Sequence, residues 1–262
     1  MSDVPMSGEG LRCRGLTVSF GGNQVLAEVD IDASPGFNGL IGPNGAGKTT
    51  LFNVITGYVR ATAGQVFLGD TELTDKRRSA IARLGVARTF QTPKLIQEMS
   101  VRENVLLGLD GQRRLRDWSA VLGLPRSERA ARTRALDLLG EFGLEEYAAG
   151  PVSALPLGSQ KVVEVVRALL SDPRLLLLDE PAAGVSVEDV QRMTDPLARW
   201  VARTNLCLVI IEHDLELVSR LCPTVTVLDF GRVIAKGTPH AVTRHPDVIS
   251  AYLGASFAAE SV

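Results

Sequence analysis

The chain has 262 residues, 45% of them hydrophobic, which is enough apolar material for one large domain or two small ones. Lys and Arg number 28 against 30 Asp and Glu, a formal net charge of −2, which argues against global disorder and against a protein whose main partner is the nucleic-acid backbone. Aromatic residues make up only 5%, leaving few stacking platforms for single strands.

In chain order, the first 40 residues read as short strands. Residues 11–20 alternate in the β manner and stop at Gly21-Gly22, residues 25–31 form a second strand, and Ser34-Pro35-Gly36 is a turn. A short apolar run, 37–41, feeds directly into a glycine-rich loop, after which a helix is expected over 49–56, ended by Gly57. Residues 64–68 with Gly69-Asp70 look like a hairpin strand, and 83–90 like a strand ending near Gln91. From about 92 to 167 the periodicity becomes helical, with apolar residues at three- and four-residue steps over 115–124 and 126–142. An apolar strand, 175–178, then ends in Asp179-Glu180, and a helix follows over 187–204. Another apolar strand, 206–211, ends in Glu212-His213-Asp214 before a helix at 215–221 and a hairpin of 225–229 with 232–235. Alternating strands and helices with a helical block between them predict an α/β fold carrying an inserted helical subdomain. Cys13, Cys207 and Cys222 are scattered, odd in number and without metal-ligand spacing, so they read as buried thiols of a reducing compartment. No basic-then-apolar leader opens the chain and no run approaches roughly 18 apolar residues, so a soluble, intracellular protein is expected.

The chemistry starts at Gly42-Pro43-Asn44-Gly45-Ala46-Gly47-Lys48-Thr49, followed by Thr50. This satisfies G-x-x-x-x-G-K-[ST] between a strand and a helix, the context the motif requires. Glycines let backbone N–H groups wrap phosphate oxygens, and the helix offers its positive N-terminus. Lys48 reaches the β- and γ-phosphates, and the Thr49 hydroxyl suits Mg²⁺. With such a loop upstream, Asp179 at the end of an apolar strand is expected in the magnesium shell and Glu180 beside it as general base for water. Gln91 bridges Mg²⁺ and the attacking water in one reading and is merely solvated in the other. His213 either senses a γ-phosphate or caps a helix. Phe20 either stacks on adenine or packs in the core.

An aromatic, a phosphate loop, a Gln, an acidic strand end and a His, in that order over the whole chain, resemble the ATP-binding subunit of an ABC transporter. The resemblance implies a RecA-like P-loop core with an N-terminal antiparallel β-subdomain (1–91 and 165–262) and a helical subdomain (92–164) within one nucleotide-binding domain. It makes Phe20 the adenine-stacking residue, Gly42 to Thr49 Walker A, Gln91 the Q-loop, Asp179 the end of Walker B, Glu180 the catalytic base and His213 the switch histidine. Mg²⁺ would be held by Thr49, Gln91 and Asp179. The phrases LIGPNGAGKTTLFNVITG, ARTFQTPKLIQEMSVRENV, DEPAAG, IEHDLELV and VIAKGTPHAV look like importers of branched-chain, hydrophobic amino acids. Related sequences serve urea uptake and lipid export. Expected partners are membrane permease subunits, a second ATP-binding subunit and, indirectly, a solute-binding protein, with no nucleic acid; the expected place is the cytoplasmic face of the membrane, with 92–99 toward the permease.

One motif departs from the family. The signature that caps the partner's ATP usually reads Leu-Ser-Gly-Gly-Gln, and the matching stretch is Leu155-Pro156-Leu157-Gly158-Ser159-Gln160. Pro156 lacks an N–H but fits the first turn of a helix running to about Leu170. Ser159 is shorter than Gln. Since these groups act in trans, an asymmetric pair is expected, this chain joining a different subunit with an intact signature; harmless drift and a binding-only regulatory subunit are the alternatives. A cluster of Arg113, Arg114, Arg116, Arg126, Arg129, Arg132 and Arg134 reads as a solvated helical face, or else as one near anionic headgroups.

Overall fold

A computed structural model describes residues 10–109 and 125–259. Two sheets organise it. Strands β1 (Leu11–Phe20), β2 (Asn23–Ala33), β4 (Ala63–Leu68) and β5 (Thr71–Glu72) form an antiparallel sheet in the order β2-β1-β4-β5. The second sheet runs β10-β9-β3-β8-β7-β6, built from β3 (Gly36–Ile41), β6 (Val86–Arg88), β7 (Leu175–Asp179), β8 (Cys207–Ile211), β9 (Thr224–Asp229) and β10 (Arg232–Gly237). All its neighbours pair parallel except β9 with β10. The continuous apolar runs LLLLD and CLVII are wholly buried, as expected of strands covered on both faces.

Helices fill both faces. α1 (Lys48–Ile55) lies between the two sheets and buries Leu51, Phe52, Val54 and Ile55 with Leu11, Leu16 and Leu26. On the other face α5 (Leu157–Leu169) and α6 (Val187–Arg203) join a larger core with α3 (Val101–Leu106) and α4 (Pro125–Glu141). Between β6 and β7 the described elements are helical: α3, α4, short 3₁₀ turns and α5. α3 opens with a reciprocal capping box, Ser100 with Glu103, and α6 with Ser186 as N-cap on Asp189. Helices α7 (Leu215–Leu221), α8 (Pro239–Val242) and α9 (Pro246–Ala259) complete the chain.

The structure changes several boundaries. The strand expected over 83–90 shrinks to Val86–Arg88, because α2 (Arg78–Arg83) occupies the preceding turn and β6 is an edge strand pairing only with β7. Pro156 stands one position earlier than expected: it is the N-cap of α5, at φ −56° and ψ 156°, so its missing N–H costs no helix bond. The helix expected over 115–124 and Arg113, Arg114 and Arg116 lie outside the described residues. Of the remaining cluster, Arg129 and Arg132 are exposed, and Arg134 pairs with Asp172. The three cysteines are free and buried, as the sequence suggested.

Candidate functional site

The site gathers at the carboxyl ends of β3, β6, β7 and β8, where an open parallel sheet collects ligands. The loop after β3 turns on glycines that nothing else replaces. Gly42 has φ 149° and Gly47 φ 103°; a Cβ would stand 1.9 Å from the Leu228 carbonyl oxygen at the first and 2.7 Å from Leu26 Cδ2 at the second. A backbone N–H from Gly231 to the Ala46 carbonyl, 3.0 Å, ties the β9–β10 turn to the loop. α1 starts on Gly47 with no capping side chain and no acidic residue in its first turn. No side chain therefore caps its first N–H groups, which leaves them for a phosphate.

Lys48 is buried, and its Nζ donates to the carbonyls of Gly42 at 2.6 Å and Pro43 at 2.9 Å. Burial lowers its pKa, opposed by the nearby charges of Glu180 and Asp179. Thr49 and Asn44 are exposed, while Ala46 is buried and Thr50 half-buried. These residues fit a triphosphate: backbone donors, a cation held to the loop, and a hydroxyl at the start of the helix.

Two side chains from separate loops meet on the carboxylate of a third. Gln91 Nε2 donates to Glu180 Oε2 at 2.6 Å, and His213 Nε2 lies 2.8 Å from Glu180 Oε1. Gln91, Glu180 and His213 were each ambiguous locally, and the fold brings them together. Glu180 sits at φ 48°, left-handed for a non-glycine residue, held by its N–H to the Ile211 carbonyl at 3.0 Å. Lys161 Nζ fixes the loop beyond it, donating to the carbonyls of Glu180 at 2.9 Å and Ala183 at 2.7 Å. From the other side the buried Glu212 accepts the Ala182 N–H at 2.7 Å. Phe20, at the end of β1, is half exposed, which removes the core reading.

Asp179 is buried, and its Oδ2 accepts from Arg88 at 2.6 Å. Glu164, 1% exposed on α5, accepts the N–H groups of Phe90 at 3.1 Å and Lys94 at 2.9 Å, on either side of Gln91. Sequence reasoning passed over Arg88, Lys161, Glu164 and Glu212. The available signal was a charge inside an apolar run, as in KVVEVV of α5, where periodicity demands burial.

The signature stretch is mixed. Leu155, Gly158 and Ser159 are buried, Gln160 half-buried, and Pro156 and Leu157 exposed. Gln160 Nε2 donates to the Leu155 carbonyl at 2.9 Å, and a Cβ on Gly158 would come within 2.5 Å of Asp189 Oδ2. Among the described residues no group of three His, Cys, Asp or Glu is arranged for a metal, and no helix is long and apolar enough to cross a membrane.

The profile of the family described as ABC transporter matches residues 27–183, and that of the branched-chain amino acid ATP-binding cassette transporter matches residues 232–258. The high-affinity branched-chain amino acid transport ATP-binding protein LivG of Escherichia coli K12 is 38% identical over 248 residues, covering 93% of this chain and 97% of LivG. BraF of Pseudomonas aeruginosa, of the same description, is 37% identical over 251 residues, covering 93% and 97%. A solved structure, the ADP conformation of MJ1267, an ATP-binding cassette of an ABC transporter, superposes with a TM-score of 0.82 at 31% identity, covering 94% of this chain and 99% of that one.

Proposed function

The chain belongs to the ABC transporter family of ATP-binding subunits, and from that premise we propose that it hydrolyses ATP to drive uptake of branched-chain amino acids through a membrane permease. The observation that carries the reading is the Glu180 carboxylate clasped by Gln91 and His213 beside the Lys48 loop. Backbone N–H groups from Gly42 to Thr50, Pro43 excepted, and the start of α1 bind the phosphates, and Lys48 turns from its two carbonyls to the β- and γ-phosphates. Phe20 stacks on adenine. Thr49, Gln91 and Asp179 would hold Mg²⁺, which when bound neutralises charge on the β- and γ-phosphate oxygens. Glu180 takes the proton of the attacking water, and its two hydrogen bonds fix both carboxylate oxygens so that little reorganisation accompanies transfer. His213 and Gln91 position Glu180 and the γ-phosphate.

A second subunit completes the arrangement, with the signature from Leu155 to Gln160 of each member closing over the other's ATP. Three features favour an unequal pair. Pro156 offers no donor, Ser159 is buried, and the Asp189 carboxylate stands against Gly158, so that no larger residue fits there. The site using this chain's Lys48 and Glu180 with the partner's signature is then the fast one.

The test is the complex purified on a tag carried by this chain and reconstituted in liposomes. Mg-dependent ATPase stimulated by the solute-binding protein loaded with leucine, with leucine uptake abolished by Lys48→Ala, is expected. Uptake of urea but not of leucine would overturn the substrate class, and absence of ATP hydrolysis would overturn the reading altogether. Vigorous ATPase from this chain alone would refute the unequal pair.

A further inference from the structure

Arg88 belongs to none of the motifs, yet its side chain is almost entirely buried at the centre of the site. It ends the edge strand β6, three residues before Gln91. One arm of its guanidinium, Nη2, donates to Asp179 Oδ2 at 2.6 Å; the other, Nη1, donates to Asn53 Oδ1 at 2.6 Å on α1. The plane is walled by two aromatic rings, with the guanidinium carbon 5.5 Å from the Phe52 centroid and 5.1 Å from that of Phe90. The fork therefore links the helix that follows the phosphate loop, the strand that ends in Asp179, and the segment leading to Gln91.

We propose that Arg88 is the positioning residue for the divalent ion: by occupying Asp179 Oδ2 it fixes the carboxylate plane so that Oδ1 is presented to Mg²⁺ beside the Thr49 hydroxyl. The inference rests on the ATPase reading of the site. Two observations carry it. Both Arg88 and Asp179 have side chains only 6% exposed, so the pair is not an adventitious surface contact. The guanidinium is anchored at its far end on Asn53, which removes the freedom a lone ion pair would leave. An arginine suits the task because its planar fork holds two acceptors at fixed separation, whereas an ammonium is a point charge.

The test titrates Mn²⁺, read by electron paramagnetic resonance, into the full chain saturated with a non-hydrolysable ATP analogue, and measures analogue binding in EDTA separately. Wild type is compared with Arg88→Met, Arg88→Lys and Asn53→Ala. For Arg88→Met the Mn²⁺ concentration at half occupancy rises about tenfold or more, the range for loss of a partner that orients a metal ligand. Arg88→Lys and Asn53→Ala, which keep a charge or the fork itself, shift it less in the same direction and stand in if the methionine variant does not fold. Analogue binding in EDTA stays within twofold of wild type in all three. Mn²⁺ titrations that coincide with wild type, even with a lowered melting temperature, would reduce Arg88 to a structural ion pair and overturn the proposal. So would a loss of metal-free binding equal to the loss of metal. If wild type itself bound neither analogue nor metal, the ATPase reading would fall instead.

Discussion

Truncating Glu164 to alanine tests how the Gln91 segment is held. The carboxylate is buried on α5, accepts two backbone N–H groups across 70 and 74 residues of sequence, and pairs with Arg167 at 3.0 Å. Arg167 in turn donates to the Lys94 carbonyl at 2.6 Å, so both sides of residues 90–94 hang on one ion pair. Glu164→Ala leaves the Phe90 and Lys94 N–H groups, both partly buried, without their acceptor and a mostly buried guanidinium without its anion. Breaking a buried pair by removing one member costs about 3–5 kcal/mol, a large share of a total stability of about 5–15 kcal/mol. Glu164→Gln keeps one good acceptor but turns an NH₂ toward one of the two N–H groups, so a loss of roughly 1–3 kcal/mol is expected. Burial pushes the Glu164 carboxyl above its usual range, opposed by the two N–H groups and Arg167, so the pair's net contribution is smaller than the truncation cost. Urea unfolding followed by circular dichroism gives the stabilities, and hydrogen exchange at the Phe90 and Lys94 amides gives the local effect. Both variants lying within about 0.5 kcal/mol of wild type, the spread of an ordinary surface change, with unaltered exchange would refute the reasoning.

Other outcomes follow from the same geometry. Glu180→Gln can accept from Gln91 and donate to a neutral His213, so the site stays assembled, but turnover of the complex falls roughly 10²–10⁴-fold while ATP still binds; undiminished turnover would exclude Glu180 as the base. Burial raises the Glu212 carboxyl from 4.5, so its folded value exceeds its unfolded one and the stability gained by protonation is lost as pH rises through the folded value. Glu212→Gln removes that loss, and unfolding curves across this window should show the variant gaining on wild type with rising pH; parallel curves would contradict it. Burial pushes Cys13 and Cys222 up to about 12 and Cys207 up to about 11, so at about pH 8 the native chain resists a thiol reagent and all three react once it is unfolded.

What could be read in the sequence was what is local. The phosphate loop declares itself because its glycines, Lys48 and Thr49 fall within eight consecutive residues, and LLLLD and CLVII declare buried parallel strands by continuous apolarity. The strand at 83–90 was overextended because RLGVARTF has β-type composition throughout, whereas an edge strand needs only the three residues that β7 pairs with. Pro156 was misplaced by one residue, within the uncertainty of any helix end. The Arg88, Lys161 and Glu164 contacts were hidden for a different reason: their partners are Asp179, the loop after β7 and the segment after β6, and only sheet topology makes those neighbours.

Those hidden contacts converge on α5. Gly158, Lys161 and Glu164 follow one another at three-residue steps, a rise of about 4.5 Å each. The first lies in the stretch matched to the signature, the second holds the carbonyls of Glu180 and Ala183, and the third holds the N–H groups on either side of Gln91. Gln91 and Glu180 touch at 2.6 Å, a distance that loses its hydrogen bond if either loop shifts by an ångström. The sheet alone cannot set that contact, because both residues lie beyond the strand ends. The helix sets it, from a side chain on each neighbouring turn. Lys161 on one turn of α5 thus holds the Glu180 loop and Glu164 on the next holds the Gln91 segment, so one helix supports both sides of the contact.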